Sequence, residues 1–289
     1  MLNPSFLPLY QQSRNKVPEQ DWKDHIYRTR LMLLKNEFKE YLLHHQFKNM
    51  LKIKDDEGNE YAIYPESLRK EKKDDDFPTS IYLASNTQTK EIGLVKIHHH
   101  NKNYEHEVQF MQARHYYFGK RQRTVVCRNG EVKHEGYIFM ELLPGITLAE
   151  LIEILNSTNQ QLSDSEQAKL LRALLLEWKA MVGCKIIRHN DIHERNIIID
   201  ILSHDREWRA YIIDYDCATD IAAYDTEKKY LHDELRNIMD ILFFSKLIKN
   251  ESLSDHVFSL RNNNHDILNN VNFVINATEK YQAILQGHP

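Results

Sequence analysis

The amino-acid sequence predicts an α+β fold with a smaller, strand-rich lobe followed by a larger, mainly helical one. Short apolar runs separated by polar turns, which are typical of strands, fill the chain from about residue 50 to residue 143. Longer runs with helical spacing follow Pro144-Gly145, a dipeptide that ends regular structure. Strands grouped ahead of helices are typical of α+β proteins. The 289 residues are enough for one large domain or two lobes, with a sizeable core.

The composition is that of a packed globular protein. Apolar residues make up 42% of the chain, with 15 Tyr and 11 Phe, which argues against disorder. The formal net charge of −4 carries no signature of nucleic-acid or membrane binding. No apolar run approaches the roughly 18 residues of a transmembrane segment, and the N-terminus lacks the pattern of a secretory signal. Three widely spaced cysteines indicate reduced thiols, so we expect a cytosolic protein.

The front of the chain is predicted to hold an N-terminal extension, residues 1–70, and a small lobe, residues 71–143. In the extension, apolar residues at helical spacing predict one long helix over residues 18–49, and the turn DDEGN predicts a hairpin over residues 50–64. The small lobe is predicted to contain two strands around the turn NTQTK, a helix NYEHEVQFMQARHYY, and two further strands. We expect the extension to brace or regulate the small lobe.

The large lobe is predicted over residues 144–289. Its first helix is TLAELIEILN, and a strongly apolar helix follows, with Ser163 or Asp164 as its N-cap and Gly183 at its far end. Residues 228–247 also show helical spacing, and the tail has room for two or three more helices.

The stretch from His189 to Asp216 carries the residues best suited to catalysis. Asp191 is followed five positions later by Asn196, and a strand, a polar turn and a second strand then lead to Asp214. This order predicts two carboxylates and one amide at the same end of a two-stranded unit. Mg²⁺ is commonly held by one or two carboxylates together with substrate phosphates. The stretch therefore predicts a site for a divalent metal and phosphate.

These residues, HNDIHERN followed by DYD, resemble the catalytic loop and metal-binding motif of the protein-kinase-like superfamily, H-x-D-x-x-x-x-N and Asp-aromatic-x. The resemblance covers about residues 77–245 and implies a two-lobed kinase-like fold that uses ATP with Mg²⁺ or Mn²⁺. It implies that Asp191 orients or deprotonates the attacking hydroxyl and that Asn196 and Asp214 hold the metal. Asp216 is either a second metal contact or a solvated side chain.

The same resemblance assigns roles in the small lobe. Lys96, in the strand LVKIH, is implied to hold the nucleotide phosphates, and Glu107 rather than Glu105 is implied to hold Lys96. Met140 is implied to gate the back of the adenine pocket. Backbone groups near Glu141 to Leu143 are implied to hydrogen-bond the adenine ring.

The chain departs from the family pattern in three places. No Gly precedes SIYLAS, where the family carries a Gly-rich loop that approaches phosphates, and the acidic run at 74–76 would repel a nucleotide there. Asn190 stands where many protein kinases carry Arg. Only 18 residues separate Asp214 from Asp233, which resembles the buried family Asp that ties down the catalytic loop. We therefore expect activity that is independent of activation-loop phosphorylation.

The leading function implied by the resemblance is ATP-dependent phosphorylation of a protein hydroxyl on Ser or Thr. His193 stands where aminoglycoside and choline phosphotransferases often carry His, which favours a small-molecule kinase, whereas the short region after Asp233 disfavours one. A nucleotide-binding pseudokinase scaffold and a nucleotidyl transferase are further alternatives. The compact form resembles effector kinases that intracellular bacteria of the Legionella type inject into host cells, so the host cytoplasm is a second expected location.

Two basic clusters are either solvated surface or the site of a polyanionic activator such as an inositol polyphosphate. Their members are Arg69, Lys70, Lys72 and Lys73, and Lys120, Arg121 and Arg123. The run HHH at 98–100 lies at a strand end, where side chains alternate faces, so it does not predict a shared metal site. No nucleic-acid partner is expected.

Overall fold

The structure, a computed structural model, describes residues 50–64, 79–98, 104–114, 117–126, 132–143, 145–183, 189–201, 207–219, 227–262 and 266–285. The predicted helix over residues 18–49 and the segment expected to replace the Gly-rich loop lie outside these ranges. The chain divides between Leu142 and Leu143 into two compact units. The boundaries predicted near residues 70 and 143 stay predictions.

Among its described residues, the first unit contains one antiparallel sheet and one helix. Its elements are β1 (Leu51–Lys54), β2 (Glu60–Tyr64), β3 (Thr79–Asn86), β4 (Ile92–His98), α1 (Tyr104–Ala113), β5 (Tyr117–Val126) and β6 (Val132–Glu141). The six strands have the order β1-β2-β3-β4-β6-β5. The predicted hairpin is confirmed as β1 and β2. It is continuous with the rest of the sheet, because Tyr64 of β2 pairs with Leu83 of β3.

The hairpin turns are fixed by side chains that accept backbone hydrogen bonds. Asp55 Oδ1 accepts from the backbone N–H groups of Glu57 and Asn59, at 3.0 and 2.8 Å. Asn86 Oδ1 accepts in the same way from Gln88 and Thr89, at 2.8 and 3.0 Å. Asp and Asn favour turns for this reason, which explains why DDEGN and NTQTK predicted the turns correctly.

The sheet has two different apolar faces because side chains alternate along each strand. One face carries Lys96, whose register partner in β6 is Ile138. Helix α1 packs on this face, where its Tyr104 and Val108 cluster with Ile138. The other face forms a separate buried cluster. Its members are Ile53, Tyr61, Ile63, Ala84, Val95, Ile97, Tyr137 and Phe139.

The second unit is mainly helical. Its elements are β7 (Ile146–Thr147), α2 (Leu148–Ser157), α3 (Asp164–Gly183), β8 (Ile197–Asp200), β9 (Arg209–Ile212), a 3₁₀ turn (Tyr215–Cys217), α4 (Glu227–Phe244), α5 (Glu251–Asn262) and α6 (Ile267–Leu285). The strands form a small sheet in the order β7-β8-β9. Gly145 has a φ of 135°, and a Cβ there would collide with the Ile199 carbonyl, so only glycine fits where β7 meets β8.

Helix α3 is the centre of this unit, as the sequence predicted. Leu170, Leu171, Leu174 and Trp178 are fully buried, and α3 packs against α6 and β9. The predicted cap is confirmed at Ser163, whose Oγ accepts from the Glu166 backbone while the Glu166 carboxylate accepts from the Ser163 backbone. Among the helices described, none is long and apolar enough to cross a membrane.

Helix α4 ends three residues before the predicted end at residue 247. The reason is local, because Lys246 adopts a left-handed conformation with a φ of 56°. That conformation cannot continue an α-helix and is typical of a helix C-terminus.

Candidate active site

Lys96 and Glu107 form a buried ion pair in the first unit. Lys96 Nζ lies 2.9 Å from Glu107 Oε1, and the two side chains are 4% and 1% exposed. They meet because α1 packs on the sheet face that carries Lys96. Glu105, the alternative partner, is instead at the surface, where Oε1 accepts from Gln122 at 2.9 Å and Oε2 lies 3.6 Å from Lys120. A buried ammonium needs such a partner, and of the two candidate glutamates Glu107 is the one in contact with Lys96.

A third buried side chain, His98, joins this pair and was missed by the sequence reasoning. His98 Nε2 lies 2.7 Å from Glu107 Oε2, and the His98 side chain is 4% exposed. His98 is two residues beyond Lys96 in β4, so both point to the same face. That spacing was the signal that could have identified it. His99 and His100 lie outside the described residues.

In the second unit, the catalytic-loop candidates Asp191 and Asn196 are in direct contact. Asn196 Nδ2 donates to the Asp191 carbonyl and to Asp191 Oδ2, at 3.1 Å each. Because both partners are acceptors, they fix the amide orientation and leave Asn196 Oδ1 as the atom able to ligate a cation. The Asp191 side chain is 44% exposed, so its carboxylate is accessible to a substrate hydroxyl.

His189 connects this loop to the segment that carries Asp214. Its Nε2 donates to the Ile213 carbonyl at 2.9 Å, and its Nδ1 accepts from the Asp191 backbone at 3.3 Å. Burial lowers the pKa of His189, so the ring is neutral at neutral pH with its proton on Nε2. The ring also packs against Tyr215, with centroids 4.8 Å apart. His189 therefore fixes Asp191 and the residue before Asp214 relative to each other.

Asp214 and Asn196 lie at the same end of neighbouring strands. Asn196 immediately precedes β8, and Asp214 follows β9 after one residue, while the Ile213 N–H donates to the Asn196 carbonyl at 2.9 Å. Asp214 has φ 69° and ψ 68°, in the left-handed region. Such a conformation costs on the order of 1 kcal/mol for a non-glycine residue and is concentrated at functional sites.

Two of the predicted metal ligands, Asn196 and Asp214, carry side-chain oxygens. Asn196 Oδ1 and the Asp214 carboxylate are hard oxygen ligands of the kind that Mg²⁺ takes. The side chain of Asp216 is outside the description. Among the described residues, no three His, Cys, Asp or Glu side chains form a metal-holding cluster, so a metal here would take its remaining ligands from water and phosphate.

The role that the family resemblance implied for Asp233 falls to its neighbour Glu234. The Asp233 side chain is 39% exposed, whereas Glu234 is 2% exposed. Glu234 Oε1 accepts from the Asn190 backbone N–H at 3.0 Å. Consecutive helix residues point about 100° apart, so a shift of one position in α4 decides which carboxylate reaches the loop. The sequence, which carries Asp and Glu side by side, gave no signal to choose between them.

We predict that Glu234→Ala lowers the free energy of unfolding by about 1–3 kcal/mol, because it leaves the partly buried Asn190 N–H without its acceptor. Asp233→Ala is the matched control and should change it by less than about 0.5 kcal/mol. Urea denaturation of the two variants checks this. If the two variants lost equal amounts of unfolding free energy, Glu234 would not be the carboxylate that holds the loop.

We also predict a pH effect from His189. The pKa of His189 is lower in the folded protein than in the unfolded chain. As the pH falls below the ordinary His pKa of about 6.5, the unfolded chain therefore takes up a proton more readily than the folded protein, which favours unfolding. This contribution to stability is complete above that pH and is lost as the pH falls, by at most about 1.4 kcal/mol per pH unit. In a pH series of urea titrations, His189→Gln should flatten this slope. Parallel pH curves for variant and wild type would refute the prediction.

The residues expected near the adenine ring lie where the two units divide. Met140 and Glu141 end β6, opposite Leu94 and Gly93 of β4. Partial burial raises the pKa of Glu141. Leu143 is partly exposed and begins the second unit.

Each cation of the second basic cluster already has a carboxylate partner. Their nitrogen–oxygen distances are 3.6 Å for Lys120–Glu105, 3.2 Å for Arg121–Asp56 and 2.8 Å for Arg123–Glu135. These pairs reduce the positive potential available to a polyanion. The first cluster, Arg69 to Lys73, lies outside the described residues.

Comparison with known proteins supports the fold. No family model matches the sequence, and no curated protein matches it. Among the solved structures that match is the crystal structure of the BubR1 kinase domain, with a TM-score of 0.54 and 10% sequence identity over 92% of this chain and 97% of that one. The chain therefore has a two-lobed, protein-kinase-like fold, and the predicted fold class is confirmed.

Proposed function

We propose that this chain is an ATP-dependent phosphotransferase, most simply a protein kinase that acts on Ser or Thr. The observation that carries the proposal is the network in which Asn196 orients Asp191, while His189 connects Asp191 to the strand end that bears Asp214. A fold alone does not define an activity, but this network contains a carboxylate and an amide of the kinds that phosphoryl transfer uses, which supports the proposal. The buried pair of Lys96 and Glu107 supports the same function.

The proposed roles follow from the chemistry of each side chain. The acceptor hydroxyl donates its proton to Asp191 as its oxygen attacks the γ-phosphorus of ATP, and the bond from the γ-phosphorus to the β,γ-bridging oxygen breaks to leave ADP. Asn196 and Asp214, with Asp216 as a further candidate, would hold Mg²⁺ or Mn²⁺, which supplies charge neutralisation at the phosphates. Lys96 would bind phosphate oxygens, and Glu107 would hold Lys96 in place.

The nucleotide base is assigned to the end of β6. Met140 would border the adenine ring, and backbone groups from Glu141 to Leu143 would hydrogen-bond it. In place of a Gly-rich loop, Lys96 and the metal would carry most of the interaction with the phosphates.

The acceptor is proposed to be a protein, in keeping with the resemblance to compact effector kinases that act in a host cytoplasm. A small-molecule acceptor is the second candidate, and one observation favours it. His193 Nε2 lies 3.6 Å from Asp191 Oδ2 with 39% of its side chain exposed, so it could contact a small acceptor. A polyanionic activator would require the first basic cluster, because the cations of the second are paired.

The test uses the full chain with γ-labelled ATP and either Mg²⁺ or Mn²⁺. One series contains eukaryotic lysate proteins, with and without an inositol polyphosphate, and the other contains aminoglycosides or choline. Label in protein supports the protein kinase, and label only in the small molecules supports the second candidate. Nucleotide binding without transfer in either series would refute both and favour a pseudokinase scaffold.

A further inference from the structure

We infer that His98 is a positioning residue for the proposed phosphoryl transfer, acting by holding the Glu107 carboxylate in the orientation in which it binds Lys96. This inference rests on the proposed function. It concerns a side chain that neither the catalytic-loop motif nor the strand motif with Lys96 includes.

The two oxygens of the Glu107 carboxylate contact two different side chains. Oε1 lies 2.9 Å from Lys96 Nζ, and Oε2 lies 2.7 Å from His98 Nε2. The His98 ring N–H points off the line between the two atoms, so the contact is a close polar one rather than a straight hydrogen bond. With one oxygen against each partner, rotation of the carboxylate would disturb both contacts.

All three side chains of this group are buried. Glu107 is 1% exposed, Lys96 3% and His98 4%, so water does not compete for these contacts. A buried carboxylate that loses a polar neighbour on one oxygen loses part of the compensation for its desolvation. It would then shift towards whatever polar group remains, and Lys96 would shift with it.

The imidazole ring of His98 is held in place by its neighbours. His98 is paired in register with Gly136 of β6, and a Cβ at Gly136 would collide with the ring of Tyr104. Glycine at this point lets the fully buried Tyr104 ring pack against the sheet beside His98. The Tyr104 and His98 rings meet edge to face, with centroids 5.9 Å apart and planes at 73°. Tyr104 is in turn fixed by its hydroxyl, which donates to the Tyr137 carbonyl at 3.3 Å.

His98 is therefore held by packing, and its polar edge faces Glu107. If His98 contributed only to packing, Phe, which is also a planar aromatic ring although a larger one, would change stability more than the reaction. If His98 is a positioning residue, the same change should slow the reaction, because Phe offers Glu107 no polar atom. This difference separates the two roles experimentally.

The experiment measures kcat and KM for ATP in the full chain for wild type, His98→Phe, His98→Gln, Glu107→Gln and the double variant His98→Phe/Glu107→Gln. His134→Gln is the matched control, because His134 is an exposed histidine of the same sheet whose ring contacts only Thr124 among the contacts described. Thermal unfolding of each variant shows whether it is folded.

We expect His98→Phe to lower kcat/KM by roughly 10-fold to 100-fold. Its melting temperature should be lower than that of wild type, because the buried Glu107 carboxylate loses a polar neighbour, but its unfolding should stay cooperative. His98→Gln, which retains a polar N–H, should recover much of the loss, and His134→Gln should match wild type. The kcat/KM of the double variant should be no lower than that of Glu107→Gln alone, since His98 acts through Glu107.

The inference would be overturned if the fold-loss of kcat/KM in the double variant equalled the product of the losses in the two single variants. Unchanged kcat/KM in His98→Phe would also overturn it. If His98→Phe fails to fold, the comparison of His98→Gln with and without Glu107→Gln gives the same test. A wild type that transfers no phosphate would overturn the proposed function as well. An active wild type beside an unaffected His98→Phe variant would overturn the role of His98 alone.

Discussion

Asp214→Asn is expected to lower kcat/KM for phosphoryl transfer by about 10³-fold or more. The carboxylate would hold the metal that neutralises the phosphates, an interaction that supplies several kcal/mol to the transition state. The amide retains the shape but loses the charge. Because Asp214 holds a left-handed backbone conformation that Asn also tolerates, the variant should fold. The measurement is steady-state transfer of γ-phosphate across a range of Mg²⁺ concentrations.

The matched control for this variant is Asp233→Asn, a change of the same chemistry at a partly exposed carboxylate of the same unit. It should keep activity within about twofold of wild type. If Asp214→Asn is as active as this control, Asp214 is not a metal ligand.

Asp191→Asn is the second large effect that we expect, with kcat lowered by roughly 10²-fold to 10⁴-fold, the range for removal of a general base. The carbonyl of the new amide can still accept from Asn196 Nδ2, so the loop geometry should persist. Nucleotide affinity should change little, since Asp191 is assigned to the acceptor hydroxyl and not to ATP. Rapid-quench kinetics combined with calorimetric titration of nucleotide would separate the two quantities.

A loss of nucleotide affinity equal to the loss of kcat would contradict this assignment. His193→Asn gives further information, because His193 lies beside Asp191 but has no assigned part in protein phosphorylation. If His193→Asn lost phosphate transfer to small-molecule acceptors but kept transfer to protein, the second candidate function would be favoured.

Local patterns were sufficient for most of the secondary structure and for part of the site. The turns at DDEGN and NTQTK were predictable because Asp55 and Asn86 act on backbone groups within four residues. The resemblance of HEVQFM to the family helix favoured Glu107 as the partner of Lys96. Since two positions on a helix place side chains on different faces, only one of Glu105 and Glu107 was expected to pair. The strand order around Asp191 and Asp214 was readable because the two segments are joined by one short hairpin.

Other features depend on contacts between distant segments, which a single sequence does not specify. Whether Asp233 or Glu234 faces the catalytic loop depends on the rotation of α4 against a loop 44 positions away in sequence. His98 appeared as part of a histidine run, and only the packing of α1 on the sheet shows that its polar edge meets Glu107. The bridging role of His189 likewise needs the position of the Ile213 carbonyl, 24 residues further along the chain.

The central claim is that this chain transfers the γ-phosphate of ATP rather than only binding nucleotide. The most direct measurement follows ATP labelled in parallel at the α- and γ-phosphates, incubated with the purified chain, Mg²⁺ and lysate proteins, beside Asp214→Asn. We predict that only the γ-label is transferred, that ADP forms in equal amount, and that the variant is inactive. Transfer of the α-label would instead indicate nucleotidyl transfer, and bound but unconsumed ATP would contradict the claim.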